Sequence, residues 1–183
     1  MEKTAISANP VNSVNSDKDT GIFAKTIIHE RIQVPFVLVD KRVKDLILKS
    51  IRSKIEGKCI IEGYVQPNTV AIVQYSSGRL MGKYIEFDVV FECNICNPVE
   101  NMEIECYAKN ITQAGIRAFT SKNEKDSPLI IYLSREHHSS NMTYFNTIKI
   151  DDGNKMNVRI IGVRFELNDK HISVIGELIP SKK

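Results

Sequence analysis

The chain has 183 residues, 42% of them apolar, enough to bury a core as one large domain or two small ones. No window approaches the roughly 18 uninterrupted apolar residues of a membrane-spanning helix, which excludes that class. The net charge of +3 is too small to announce a nucleic-acid binder, but the distribution of charge is uneven. Residues 25–58 carry nine Lys or Arg against four Asp or Glu, residues 84–106 carry six acidic side chains and no Lys or Arg, and residues 107–183 carry twelve basic against eight acidic. The acidic middle repels phosphate, so a nucleic acid is expected on the basic blocks that flank it.

In chain order, residues 1–24 form an extension. Residues 1–20 are rich in Asn, Ser and Thr and lack the apolar centre of a secretory signal. They hold too little apolar surface to order themselves and are expected to be disordered. Residues 25–35, KTIIHERIQVP, are short and rich in β-branched side chains, which predicts a strand. Asp40 fits a helix N-cap. Val43, Leu46, Ile47, Leu48, Ile51 and Ile55 follow at mostly helical spacing, and Lys41, Arg42, Lys44, Lys49 and Arg52 cover much of the remaining surface. A helix is therefore predicted over residues 41–55, its apolar stripe facing a core and Gly57 stopping it. Strands are predicted at 58–64, 69–75 and 85–91, around the turns Gln66-Pro67-Asn68 and Ser76-Ser77-Gly78.

Residues 94–101 contain Pro98 and few apolar side chains, which places a boundary between a first domain, residues 25–95, and a second, residues 96–183. In the second, Met102, Ile104, Cys106 and Ala108 alternate with Glu103, Glu105, Tyr107 and Lys109, the pattern of a half-buried strand. Gly115 marks a bend into 116–120, residues 120–128 are a polar loop, and 129–133 are apolar throughout. A loop over 134–147 carries His137 and His138, read as exposed, and Asp151-Asp152-Gly153-Asn154 reads as a turn. Residues 156–167 and 171–179 form a hairpin about Asn168-Asp169-Lys170. Five short strands fit a small closed barrel, of which the OB fold is the commonest five-stranded kind. The expected class is α+β, mainly β: strand, helix and antiparallel sheet, then a five-stranded OB barrel.

The chemistry-bearing residues form no catalytic or metal constellation. Cys93-Asn94-Ile95-Cys96 is a CxxC without the second pair that structural zinc needs, and Asn97-Pro98 after it suggests a loop rather than a redox helix. With no export signal, Cys59, Cys93, Cys96 and Cys106 are expected as thiols. His29, His137, His138 and His171 show no metal spacing, and no GxSxG, Walker A or GxGxxG occurs. No cofactor is implied.

The order of strand, basic amphipathic helix ending in Glu-Gly, β meander and barrel resembles the Rpb-seven and archaeal E-type subunits of DNA-directed RNA polymerases. Ile55-Glu56-Gly57-Lys58-Cys59 looks like that family's helix end and next strand. Phe87-Asp88-Val89-Val90-Phe91 looks like the last strand of its tip domain, and residues 110–116, with Gly115, like its first barrel bend. Tyr132-Leu133-Ser134-Arg135 looks like its aromatic-aliphatic-Ser-Arg strand end. Ile160-Ile161-Gly162-Val163-Arg164, Asn168-Asp169 and Val174-Ile175-Gly176 resemble its closing hairpin, and this piece is the most specific. Arg117 stands where the family's barrel usually has an aromatic, and Asn97-Pro98-Val99-Glu100-Asn101 replaces a glycine-rich start. Divergence of this kind points to a fast-evolving source, such as a large DNA virus with its own polymerase.

The resemblance implies a non-catalytic stalk subunit at work wherever its polymerase transcribes: the nucleus, or a cytoplasmic virus factory and virion. It implies docking on the polymerase core subunits through the tip domain and pairing with a small helical subunit. Gln66, Pro67, Asn68 and Arg79 are the expected docking residues, on turns that serve equally as plain connections. Single-stranded RNA binds OB barrels by stacking bases on aromatic or Arg planes, with cations along the phosphates. Arg117 and Phe119 on the second barrel strand, Tyr132 on the third, and Lys109 and Lys122 beside them are the expected RNA contacts. Phe119 and Tyr132 also suit barrel core, and Arg164 suits pairing with an acidic barrel residue. The other readings are a free-standing OB-fold RNA-binding factor in translation or RNA processing, and an adaptor without RNA affinity.

Overall fold

A computed structural model describes residues 21–141, 145–146 and 155–179; the extension over 1–20 and the turn at 151–154 lie outside them. Apolar residues at every second position of two long strands set up the first half of the chain. β1 (Phe23–Pro35) and β6 (Tyr84–Cys96) pair antiparallel along their whole length, from Phe23 opposite Cys96 to Pro35 opposite Tyr84. Ile32 and Val34 of β1 and Phe87, Val89 and Phe91 of β6 point to one face. The helix α1 (Val43–Ile55) lays Ile47, Ile51 and Ile55 against it, one stripe at a spacing of four. Asp40 Oδ1 accepts the Arg42 N–H at 2.7 Å, and α1 begins two residues after its predicted start, at Val43. Gly57, at φ +71°, follows its end. Along the other side of β6 lie β5 (Arg79–Met81), β4 (Ala71–Tyr75) and β3 (Gly63–Val65), with β2 (Cys59–Ile60) outside β3.

The CxxC is on a strand, not in the expected loop. Pairing of Thr26 with Cys93, and of both Phe23 and Tyr64 with Cys96, carries β6 through to Cys96 before Asn97-Pro98 ends it. Residues three apart on a strand face opposite sides. Cys93 accordingly enters the core under α1, and Cys96 enters the core of the second half. The two thiols cannot converge on one ion. Burial pushes Cys93 up to about 11 and Cys96 up to about 12, so both stay protonated.

The second half closes on itself. β7 (Glu103–Ile111), β8 (Gly115–Phe119), β9 (Leu129–Ser134), β11 (Ile172–Ile179) and β10 (Lys155–Arg164) follow one another around a five-stranded barrel in which only β9 and β11 run parallel. This is the expected mainly-β class with an OB-like barrel. Ile104, Cys106, Ile116, Ala118, Leu129, Ile131, Leu133, Val158, Ile160, Val174 and Leu178 fill the interior. Gly115 is required by close approach rather than by its own dihedral: a Cβ there would lie 2.1 Å from the Leu133 carbonyl oxygen.

The two halves are joined by more than their connection. Ile22, Cys59, Tyr64 and Cys96, all from the first half, belong to the same buried cluster as the barrel interior. Cys59 N–H donates to the Asp169 carbonyl at 2.7 Å, and its carbonyl accepts Asn168 N–H at 2.9 Å. β2 thus grips the turn between β10 and β11 through its backbone. Among the described residues no helix is long and apolar enough to cross a membrane.

Candidate nucleic-acid interface

The strand registers align the outward side chains of the barrel into rows. One row runs Asn110, Arg117, Tyr132, Ile175, Gly162 across β7, β8, β9, β11 and β10. The next runs Tyr107, Phe119, Ile130, Ser173, Arg164. Arg117, Phe119 and Tyr132 therefore share the outer face, as their spacing implies.

They are not equally available. Phe119 is 2% exposed. The Arg117 guanidinium lies 4.9 Å from its ring centroid and is tied to Glu124 Oε1 at 2.8 Å. The segment 120–128 is fastened back by Ser127 Oγ, which accepts the Thr120 N–H at 3.0 Å and donates to the Leu129 carbonyl at 2.7 Å. Phe119 is thus a hydrophobic floor under an arginine, outside the barrel interior and closed to a base. Tyr132 is 44% exposed. Lys109 is exposed at a bulge in the β7–β8 pairing between Ala108 and Asn110, and Lys122 is exposed in the 120–128 segment. Arg164 pairs with Glu166 at 3.4 Å. On the opposite wall Lys155–Glu105 and Arg159–Glu103 pair across strands, so those cations are already matched.

The expected docking residues fall at opposite ends of the first sheet. Gln66 sits beside Asn94, whose carbonyl accepts its N–H at 2.9 Å, near the barrel. Arg79 is opposite Glu86 and bound to Asp88 at 2.8 Å. The two lie about 26 Å apart along β6 at ~3.3 Å per residue. The end remote from the barrel carries the missed signal. A 3₁₀ turn, Phe36–Leu38, is tied to Lys83 by the Phe36 N–H at 3.0 Å. Phe36, Val37, Leu38, Leu80, Met81 and Tyr84 are all exposed there, Val37 at 90%. Phe36-Val37-Leu38 directly after a strand-ending proline, with no strand or helix period, was the available clue.

Of the two loop histidines, His137 is exposed as expected and His138 is not. The His138 ring is buried, with Nδ1 2.6 Å from the Ser134 carbonyl and Nε2 accepting the Leu178 N–H at 2.7 Å. Only the neutral tautomer protonated on Nδ1 satisfies both. Phe145 packs on the ring at 4.9 Å. His138→Ala strands a buried N–H and leaves a void, an expected loss of about 2–4 kcal/mol in urea unfolding. His137→Ala is expected to stay within about 0.5 kcal/mol. Equal effects at the two positions would contradict this assignment. Among the described residues no three His, Cys, Asp or Glu are grouped to hold a metal.

No protein-family model matches the chain. It is similar to a candidate DNA-directed RNA polymerase subunit of Acanthamoeba polyphaga mimivirus, 25% identical over 171 residues that span 86% of this chain and 82% of that protein.

Proposed function

We propose that the chain is a non-catalytic stalk subunit of a multisubunit DNA-directed RNA polymerase, of the Rpb-seven and E-type kind and of viral origin. It docks on the core subunits by the remote end of its first sheet and offers its barrel to emerging single-stranded RNA. The similarity to a viral protein named as a polymerase subunit carries this reading, because it runs through both halves of the chain rather than through the barrel alone. In this reading residues 25–95 are the docking unit and residues 96–183 the RNA-binding unit; the presence of one sheet and one closed barrel supports it, with β6 carrying the first sheet on to Cys96. The exposed apolar end at Phe36, Val37, Leu38, Leu80, Met81 and Tyr84 supports docking, since a large apolar patch on a soluble domain marks a contact surface. A cleft of about 380 Å³ beside β2, with Ile61 and Leu167 exposed at its rim, suits a small helical partner.

The test is co-purification from cells transcribing with the cognate polymerase. The tagged chain is expected to bring down the large polymerase subunits. Val37→Asp/Leu80→Asp is expected to release them while leaving the melting temperature within a few degrees, because both side chains are exposed in the free protein. Recovery of ribosomal or RNA-processing proteins in place of polymerase would make the chain a free-standing RNA-binding factor.

A further inference from the structure

The closing hairpin sequence Ile160-Ile161-Gly162-Val163-Arg164 has its glycine at a bulge in the β10–β11 pairing, between Ile160 and Gly162, in a conformation that does not itself demand glycine. A Cβ at Gly162 would meet nothing within 4 Å, and its φ is not positive. What the missing side chain leaves is space. Gly162 is the last member of the row that passes through Arg117, Tyr132 and Ile175, and Ser173 and Arg164 stand beside it in the next row. Tyr132, Gly162, Arg164, Ser173 and Ile175, with Glu166 and Asp169, line an open cleft of about 580 Å³ on the outside of β9, β11 and β10. Its volume is within the range of small-molecule sites.

The chemistry of the lining is specific. Tyr132 at 44% and Ile175 at 46% exposure offer one aromatic and one aliphatic surface, with Tyr132 and Ile175 in register. Asp169 Oδ2 accepts the Glu166 N–H at 2.8 Å and fixes the turn that carries the acidic rim. Carboxylates at the rim disfavour phosphate but accept hydrogen bonds from the amino and imino groups of a base edge. Arg164, its side chain 84% exposed, pairs loosely with Glu166 at 3.4 Å and stands at the mouth, where a phosphate competes with that carboxylate for it. Phe119, in the neighbouring row, is closed off beneath Arg117.

We infer that this cleft is a base-binding subsite that takes one unstacked base of single-stranded RNA, its ring on Tyr132 and Ile175 and its donor-bearing edge toward Glu166 and Asp169. The inference rests on the RNA-binding reading of the barrel and moves its centre from β8 to the space left by Gly162. Guanine, cytosine and adenine, which present amino donors to a carboxylate, are expected to be preferred over uracil, whose single imino donor is flanked by two carbonyl oxygens that a carboxylate repels.

The test measures affinity of the full chain for short unstructured RNAs, each variant with a thermal melt beside it. Gly162→Val places a side chain in the cleft, at a position where a Cβ has no atom within 4 Å, and Tyr132→Ala removes the stacking surface. Each is expected to weaken binding between about 5- and 150-fold, the equivalent of about 1–3 kcal/mol for one stacked base. Lys109→Ala/Lys122→Ala is expected to flatten the salt dependence instead. If wild type binds RNA and folded Gly162→Val binds equally well, the cleft is not the subsite, although the barrel remains an RNA binder. If Gly162→Val loses polymerase co-purification but keeps RNA affinity, the cleft is a protein contact and the inference falls. If wild type binds no RNA at any salt concentration, the RNA-binding reading fails and the subsite with it.

Discussion

A chain that begins at Val99 is expected to melt far below the full chain, although its five strands are all present. Such a fragment lacks Ile22, Cys59, Tyr64 and Cys96, four side chains of the cluster that fills the barrel. Burying a large apolar side chain contributes about 1.5–3 kcal/mol, so Ile22 and Tyr64 alone account for about 3–6 kcal/mol. That is comparable to the whole stability of a small domain, about 5–15 kcal/mol. The turn between β10 and β11 also loses both backbone hydrogen bonds to Cys59. Urea unfolding of residues 99–183 against residues 21–183 measures the difference, and Tyr64→Ala in the longer chain isolates one contribution. Equal midpoints for the two chains would show that the first half contributes nothing to the barrel. The functional consequence is rigidity: a base held on the barrel and a partner held on the sheet would be fixed relative to each other.

The elements of this fold were legible because their periodicities are clean. Ile47, Ile51 and Ile55 announce a helix face, and Met102, Ile104, Cys106 and Ala108 announce a strand. The joint between the halves was not legible, for a physical reason. A strand carries no local mark of where one core ends and another begins, and β6 serves two cores with one alternation, Cys93 for the first and Cys96 for the second. Asn97-Pro98 stops the strand, but the core has already changed hands. The α1 start was missed by two residues because Asp40 is not the N-cap: its carboxylate holds the Arg42 N–H in a turn before the helix, whose N-cap is Arg42, without a side-chain cap bond.

The candidate site was legible as a face but not as a surface. Spacing alone places Arg117 and Phe119 on one side of β8, and pairing with β9 adds Tyr132. Whether a side chain on that face is open depends on residues distant in sequence. Glu124 holds Arg117 down over Phe119, and the 120–128 segment closes around them. His137 and His138 make the same point within two residues: composition treats them alike, while the Leu178 N–H, forty positions away, selects only His138. Gly162 was visible as part of a sequence pattern, but open space beside a glycine has no sequence signal.

Alkali is expected to unfold the protein over a window set by its four buried thiols. Cys59 and Cys93 are pushed up by burial to about 11, and Cys96 and Cys106 to about 12, from an ordinary value of 9.0. A negative charge nearby adds to burial for Cys59, where it comes from Asp169, and for Cys93, where it comes from Glu62 and Glu56. Each raised value means that the folded chain keeps a proton that the unfolded chain gives up. The associated stability is complete below pH 9 and is lost as pH rises toward 11 and 12. Within the window all four thiols act in the same direction, each costing the folded chain on the order of 1 kcal/mol per pH unit, and their joint effect is comparable to the lower end of the stability of an ordinary domain, about 5 kcal/mol. Urea midpoints at pH 8, 9 and 10 under reducing conditions, for wild type and Cys106→Ala, provide the measurement. The variant starts less stable, because a buried sulfur is gone, but its midpoint is expected to fall about a quarter less steeply. Parallel slopes for the two proteins, or a flat profile from pH 8 to 10, would show that the thiols do not govern alkaline stability.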